Sequence, residues 1–194
     1  VLVFEYDLLA QRLRELAFLN KGLRIVLKDL RQETVREEVF HYDGGIKSFV
    51  TFLNKSKEIL HPEVIYVLQS HEQTIVEFAL QYNTSYQESV FSYVNNINTH
   101  EGGTHLIGFS TALTRVINSY IKKHNLSDIA LTGPDAREGL VCILSLKVPD
   151  PQFEGQTKTR LGNSELKGIV DSLTMSALQT YFEAHPKVAR IIIA

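Results

Sequence analysis

The chain has 194 residues, enough for one domain or slightly more and for a hydrophobic core without disulfide or metal staples. Hydrophobic residues make up 44% and charged residues 22%, which excludes wholesale disorder. Lys plus Arg is 20 against 22 for Asp plus Glu, so the net charge of -2 excludes a globally basic nucleic-acid binder, and a single cysteine, Cys142, excludes an internal disulfide framework and fits a reducing compartment.

Residues 5–19 read as a helix, with Leu9, Leu13, Leu16 and Ala17 on one face and Gly22 as a stop. Residues 23–30 and 34–42 alternate as strands around Arg31-Gln32-Glu33, the pattern of a hairpin. Asp43-Gly44-Gly45 breaks the pattern and is the best candidate boundary between two units. A helix signal resumes at Ile46, Phe49, Val50 and Leu53. Three strand candidates follow at 63–68, 74–82 and 87–95. In the middle one Val76, Phe78, Leu80 and Tyr82 share a face, the pattern of a sheet buried on one side.

Glu101-Gly102-Gly103 is a second break. Thr104 is expected to cap a long helix carrying Leu106, Phe109, Leu113, Val116, Ile117, Tyr120 and Ile121 on its apolar face. Residues 124–139 read as loop with a turn at Gly133-Pro134-Asp135, 140–148 as a strongly apolar strand, and 149–162 as irregular and polar. Asn163 or Ser164 is expected to cap the last helix, with Leu166, Ile169, Val170, Leu173, Ala177 and Tyr181 toward the core. Pro186 is expected to end it before a β-like run at 188–193. The order implies an α+β fold, a mostly antiparallel sheet with helices on one face.

The ends carry apolar runs, Val1-Leu2-Val3-Phe4 without an initiator Met and Ile191-Ile192-Ile193-Ala194. Natural domain ends are usually polar, so the expectation is a piece of a longer protein. No stretch approaches the roughly 18 apolar residues of a membrane span, and no signal peptide is visible.

Several stretches could carry chemistry. Gln156-Thr157-Lys158 lies in a loop with two prolines and glycines, anchored between a buried strand and a capped helix. A Lys there is a point charge suited to a phosphate, and a Gln amide can bond the same oxygens; a solvated basic loop is the alternative. Gly102-Gly103 before a helix could cradle an anion, although a plain chain reversal suffices, and His100, Glu101 and His105 match no standard metal spacing and read as surface groups. Lys122, Lys123 and His124 form a local basic cluster that suits the helix dipole and leaves a DNA-facing patch open. Asp135-Ala136-Arg137-Glu138 reads as a charged corner, and Cys142 as a core thiol. There is no Walker-type phosphate loop and no acid–base carboxylate pair. A stand-alone α+β nucleic-acid-binding module is the alternative function, disfavoured by the charge balance and the lack of aromatics among the basic residues.

Taken together, the motifs resemble a known family. Phe4-Glu5-Tyr6-Asp7 with the stretch from Arg12 to Asn20, and His41-Tyr42-Asp43-Gly44-Gly45-Ile46, are similar to the closing helix and following junction of the ATPase domain in bacterial type IIA topoisomerase B subunits, the gyrase B type in preference to topoisomerase IV. Gly102-Gly103-Thr104-His105, Asp135-Ala136-Arg137-Glu138-Gly139-Leu140, Val148-Pro149-Asp150-Pro151 and Gln156-Thr157-Lys158 are similar, in order and spacing, to that family's transducer domain.

The resemblance implies residues 1–40 as the end of a GHKL ATPase domain and 41–194 as a transducer with a left-handed βαβ crossover. It implies ATP and Mg²⁺ in the full subunit and none bound to this piece, with Gln156 and Lys158 reaching the γ-phosphate. It further implies coupling of hydrolysis to gate movement during DNA strand passage and supercoiling. The implied partners are a gyrase A-type subunit in a heterotetramer, the chain's own ATPase domain, duplex DNA and a second gyrase B copy on ATP binding. The location implied is cytoplasmic, away from membranes. The family's catalytic Glu, Mg²⁺-holding Asn, adenine-binding Asp and ATP lid would all precede Val1, so the piece alone is expected to hydrolyse no ATP. Leu8, Leu9 and Leu13 are then expected to be partly exposed or covered by a neighbour.

Overall fold

The computed structural model describes residues 4–194; the apolar opening Val1–Val3 lies outside the described residues. The elements run α1 (Tyr6–Leu19), β1 (Arg24–Asp29), β2 (Arg36–His41), α2 (Ile46–Leu53), β3 (Ile65–His71), β4 (Thr74–Tyr82), β5 (Ser89–Val94), β6 (Ile97–Asn98), α3 (Thr104–Lys123), α4 (Gly133–Arg137), β7 (Leu140–Lys147), α5 (Ser164–Ala184) and α6 (Pro186–Ile193). The α+β class and every expected strand from 23 to 148 are present, and Gly22 takes the positive φ of 80° expected after a helix.

Two sheets form. β1 and β2 make an antiparallel hairpin from Arg24↔His41 to Asp29↔Arg36. The other sheet has five strands in the order β3-β4-β7-β5-β6, antiparallel except for β5 beside β7. The β5–β6 turn is Asn95-Asn96, with φ of 49° and 65°. Asparagine tolerates that left-handed geometry, and two consecutive positive values match the twist of a tight hairpin. The chain leaves β6 through α3 and α4 and returns as β7, parallel to β5.

The alternation in β4 has the expected consequence on one face. Val76, Phe78 and Leu80 pack with Cys142, Leu144 and Leu146 of β7 against Phe109, Leu113 and Val116 of α3 and Val170 and Leu178 of α5. Phe78 meets Phe109 edge-on at 5.3 Å. Each such large side chain, fully buried, contributes about 1.5–3 kcal/mol. α3 and α5 approach closely because Gly108 has no side chain; a Cβ there would run into the Lys167 backbone. The opposite sheet face is also covered in part. Ala79, Tyr93, Val141 and Ile143 meet Phe49 and Val50 of α2 and Phe18 of α1, so helices lie on both faces rather than one.

Several local expectations change. α1 buries Tyr6, Ala10 and Ala17, while Leu9 is exposed and Leu13 half-buried. The stripe turns toward Phe40, Ile25 and Leu27, the apolar groups the hairpin offers. α5 centres its buried face on Leu166, Val170, Thr174, Leu178 and Phe182; Ile169, Leu173, Ala177 and Tyr181 flank it. The 133–137 turn is a short helix: Thr132 Oγ1 accepts from Asp135 N, and Asp135 Oδ2 accepts from Thr132 N at 2.7 Å, a reciprocal capping box. The run after Pro186 is helical, not β-like. Pro186 occupies the first turn, where its missing N–H costs nothing, and Ala189, Ile192 and Ile193 recur at helical spacing against the core.

Candidate functional site

The loop from Val148 to Asn163 is clamped at both feet by asparagine side chains. At the first foot, Asn95 Nδ2 donates to Val148 O and Val148 N donates to Asn95 Oδ1, both at 2.9 Å. At the second, Gln152 N donates to Asn163 Oδ1 at 2.6 Å, Asn163 Nδ2 donates to Asp150 O at 3.3 Å, and Gly162 N donates to Gln152 O at 2.7 Å. Asn163 is the N-cap residue of α5 by position, but its side chain makes no cap bond to the helix backbone; besides the loop, its Nδ2 donates only to the Glu165 carboxylate in the first turn, at 2.8 Å. Neither asparagine carries a sequence motif. Their only signal is position, one in a turn before a glycine pair and one just before a helix.

Between the feet the loop narrows and turns. Glu154 N donates to Arg160 O at 2.9 Å, and the Glu154–Arg160 ion pair at 3.1 Å reinforces that neck. Lys158 N donates to Gly155 O at 3.2 Å and closes a turn with Gln156 and Thr157 at its corner. Gly155 has φ 98° and Lys158 φ 55°. A lysine held in the left-handed region costs about 1 kcal/mol or more and persists only where surroundings over-determine it. Gln156, Thr157 and Lys158 are all exposed, and among the described residues Lys158 makes no ion pair. The tip is thus a small projection carrying an amide, a hydroxyl and an unneutralised ammonium.

The second stretch, Gly102-Gly103-Thr104-His105, is the seat of this loop. Glu101 N donates to Thr159 O at 3.0 Å, Leu161 N to Gly102 O at 3.1 Å, and Thr104 N to Leu161 O at 3.1 Å. The Thr159 hydroxyl also donates to the Glu101 carboxylate. Gly103 has φ 135°, and a Cβ there would collide with the Leu161 backbone, so only glycine permits this approach. Gly103, not Thr104, is the N-cap of α3; Thr104 Oγ1 is buried and caps nothing. The glycine pair therefore receives a strand-like segment of its own chain.

The remaining candidates separate. His105 is not a surface group: it is fully buried, and burial pushes its pKa down to about 4, so the imidazole is neutral. Among the described residues no cluster of three His, Cys, Asp or Glu could hold a metal ion, which removes His100, Glu101 and His105 as a centre. Lys123 and His124 both meet the single carboxylate of Glu183, at 2.7 and 3.4 Å, while Lys122 is exposed and makes no ion pair among the described residues. Arg137 donates to Glu88 at 2.9 Å and Ala136 O accepts from the Tyr82 hydroxyl at 2.7 Å, a corner that pins β4 and β5. Cys142 is sealed in β7, and burial raises its thiol far above the ordinary range. No helix among the described residues is long and apolar enough to cross a membrane.

The fold occurs in solved gyrase B ATPase structures. The chain superposes on the 43K ATPase domain of Thermus thermophilus gyrase B, solved in complex with an aminocoumarin, with a TM-score of 0.85 and 35% identity over 98% of this chain and 52% of that one. It is 57% identical to the DNA gyrase B protein of Halalkalibacterium halodurans and 54% identical to that of Clostridium acetobutylicum, each over 98% of the chain. The DNA gyrase B family profile matches residues 45–194, and the chain belongs to that family. It spans 30% of the length of these curated relatives.

Proposed function

We propose that the chain is the transducer region of an ATP-dependent type IIA topoisomerase, with residues 1–40 the end of the ATPase domain and 41–194 the transducer itself. The observation that carries this reading is the tip of the clamped loop, where Lys158 makes no ion pair among the described residues and is held at a positive φ. Local strain of that kind collects at ligand clamps. The Lys158 ammonium fits a terminal phosphate oxygen as a point charge, and the Gln156 amide can donate to the same group. Lys158 then stabilises charge on the γ-phosphate while Gln156 senses its presence. Once hydrolysis has removed the γ-phosphate, the loop has no differential affinity left, and the transducer is released relative to the ATPase domain. Through β7 and α5, which hold the loop's feet, that release is coupled to gate movement during DNA strand passage and supercoiling.

Among the described residues no three His, Cys, Asp or Glu side chains gather as a metal cluster. Metal holding and water activation belong, in this reading, to residues outside the chain, so the chain alone gives no turnover. The partners are a gyrase A-type subunit in a heterotetramer, duplex DNA and a second gyrase B copy on ATP binding, in the cytoplasm. In the full-length protein, Lys158→Ala is expected to lower kcat by about 100-fold or more, the size of effect seen when a preorganised donor to developing charge is removed, while ADP affinity stays unchanged. Turnover by Lys158→Ala at the unsubstituted rate would overturn the assignment.

A further inference from the structure

Behind the loop lies a buried polar chain to which the phosphate contact gives no role. His105, in the first turn of α3, is fully buried with its Nε2 3.0 Å from Thr99 Oγ1. The Thr99 hydroxyl donates to Ser92 O of β5 at 2.9 Å, so its oxygen is left to accept, and the imidazole proton is assigned to Nε2. Ser92 Oγ lies 2.7 Å from the same Thr99 oxygen, and Thr99 N donates to Ser92 O at 2.9 Å. All these partners lie within residues 92–105. His105 Nδ1 has no partner among the described residues.

Burying an imidazole costs more than burying a leucine of similar size. Its return here is directional: it ties α3 to Thr99, and Thr99 to β5. Thr99 O accepts from Gly102 N at 2.8 Å, and residues 101, 102 and 104 are the ones that bond Thr159 and Leu161. The relay from β5 thus ends on the residue next to Lys158. We propose that His105 and Thr99 are positioning residues, which lock the 99–104 strap to β5 and so hold Lys158 in place for the phosphate. This rests on the loop's proposed function, and its test separates the two.

The experiment uses the full-length protein assembled with its partner. His105→Leu fills the volume without the donor, Thr99→Val removes the hydroxyl at constant shape, and His105→Gln retains a side-chain N–H. Misplacement of a positioned group typically costs on the order of 10- to 100-fold in rate, so both first variants are expected to lose about that much in kcat with ADP affinity unchanged. His105→Gln is expected to recover a measurable part. Combined with Lys158→Ala, neither should cause further loss, because a misplaced lysine and an absent one fail alike.

Amide exchange gives a readout independent of activity. Glu101 and Leu161 should exchange about tenfold faster in His105→Leu and Thr99→Val, while Phe78 and Leu144 of the sheet stay as they were. Normal turnover by both variants where Lys158→Ala is slow, or full additivity with it, would overturn the proposal. Should Lys158→Ala itself turn over normally, the phosphate assignment fails, and so does positioning for it; faster exchange at Glu101 and Leu161 would then uphold only the lock between strap and β5. If His105→Leu does not fold, Thr99→Val decides by the same criteria.

Discussion

In the unit built on the five-stranded sheet, Phe78, Leu113 and Leu144 have no exposure to solvent; in the unit of α1 and the β1–β2 hairpin, Leu8 is 62% exposed and Leu30 72%. Both units obey the same local rules, an amphipathic helix and strands of alternating pattern. The difference lies in layers. Five strands between α3–α5 on one side and α2 on the other can close a core. One helix on a two-stranded hairpin cannot, and such hairpins are marginal by themselves. Among the described residues the smaller unit's own core is Tyr6, Ala10, Ala17 and Phe40, and it leans on the larger one through Phe18, which stacks on Tyr42 at 3.7 Å and on Phe49 at 4.6 Å.

That contrast can be broken from either side. Phe78→Ala should cost about 3–5 kcal/mol, seen as a lower urea midpoint for the whole chain, since its cavity opens between the five-stranded sheet and α3 and α5. A loss under 1 kcal/mol would mean that the sheet unit is not the cooperative core. Acid should strike the same unit. His105 and His61 are buried neutral, His61 because its Nε2 accepts from Tyr82 N and burial lowers its pKa. His41, in the hairpin, is exposed. A folded pKa below the unfolded value near 6.5 means that the unfolded chain takes up the proton first. The stability from His105 is therefore full above pH 6.5 and lost as pH falls toward 4, by up to about 3 kcal/mol. His105→Gln should flatten that stretch of the stability–pH curve, and an unchanged slope would contradict a buried neutral imidazole.

Smaller effects sharpen the boundary. Phe18→Leu stays apolar at slightly smaller volume but removes both stacks, and should cost about 1–2 kcal/mol. Its amide-exchange signature should be local, faster in α1 and the hairpin with β4 unchanged; equal acceleration in β4 would show that the two units are one. Leu8→Ser should stay within about 0.5 kcal/mol by thermal denaturation, because Leu8 is open to solvent in this chain. A larger loss would mean that α1 packs differently in solution.

Patterns with a short physical range were legible in the amino-acid order. The alternation through Val76, Phe78 and Leu80, the helical spacing from Leu106 to Ile121 and the glycine breaks each reflect constraints a few residues long, and each stands in the fold. Gln156-Thr157-Lys158 was legible as an anchored loop for the same reason. The run 188–193 was misread because three isoleucines favour a strand locally, while packing of Ala189, Ile192 and Ile193 on the core favours a helix. Thr104 was misread because its neighbour Gly103, pressed against Leu161, takes the cap position.

What holds the site together came from contacts across long stretches of chain. Asn95 meets Val148, Gly102 meets Leu161, and Lys123 meets Glu183. A hydrogen bond or ion pair depends on distance in space, and the spacing of residues along the chain carries no record of it. Local order therefore specified the strands from 23 to 148, the helices other than α4 and α6, and the loop that bears Lys158. The packing of α3, β5 and β7 around that loop decided which way it is held, and turned His105 from an apparent surface histidine into a buried one.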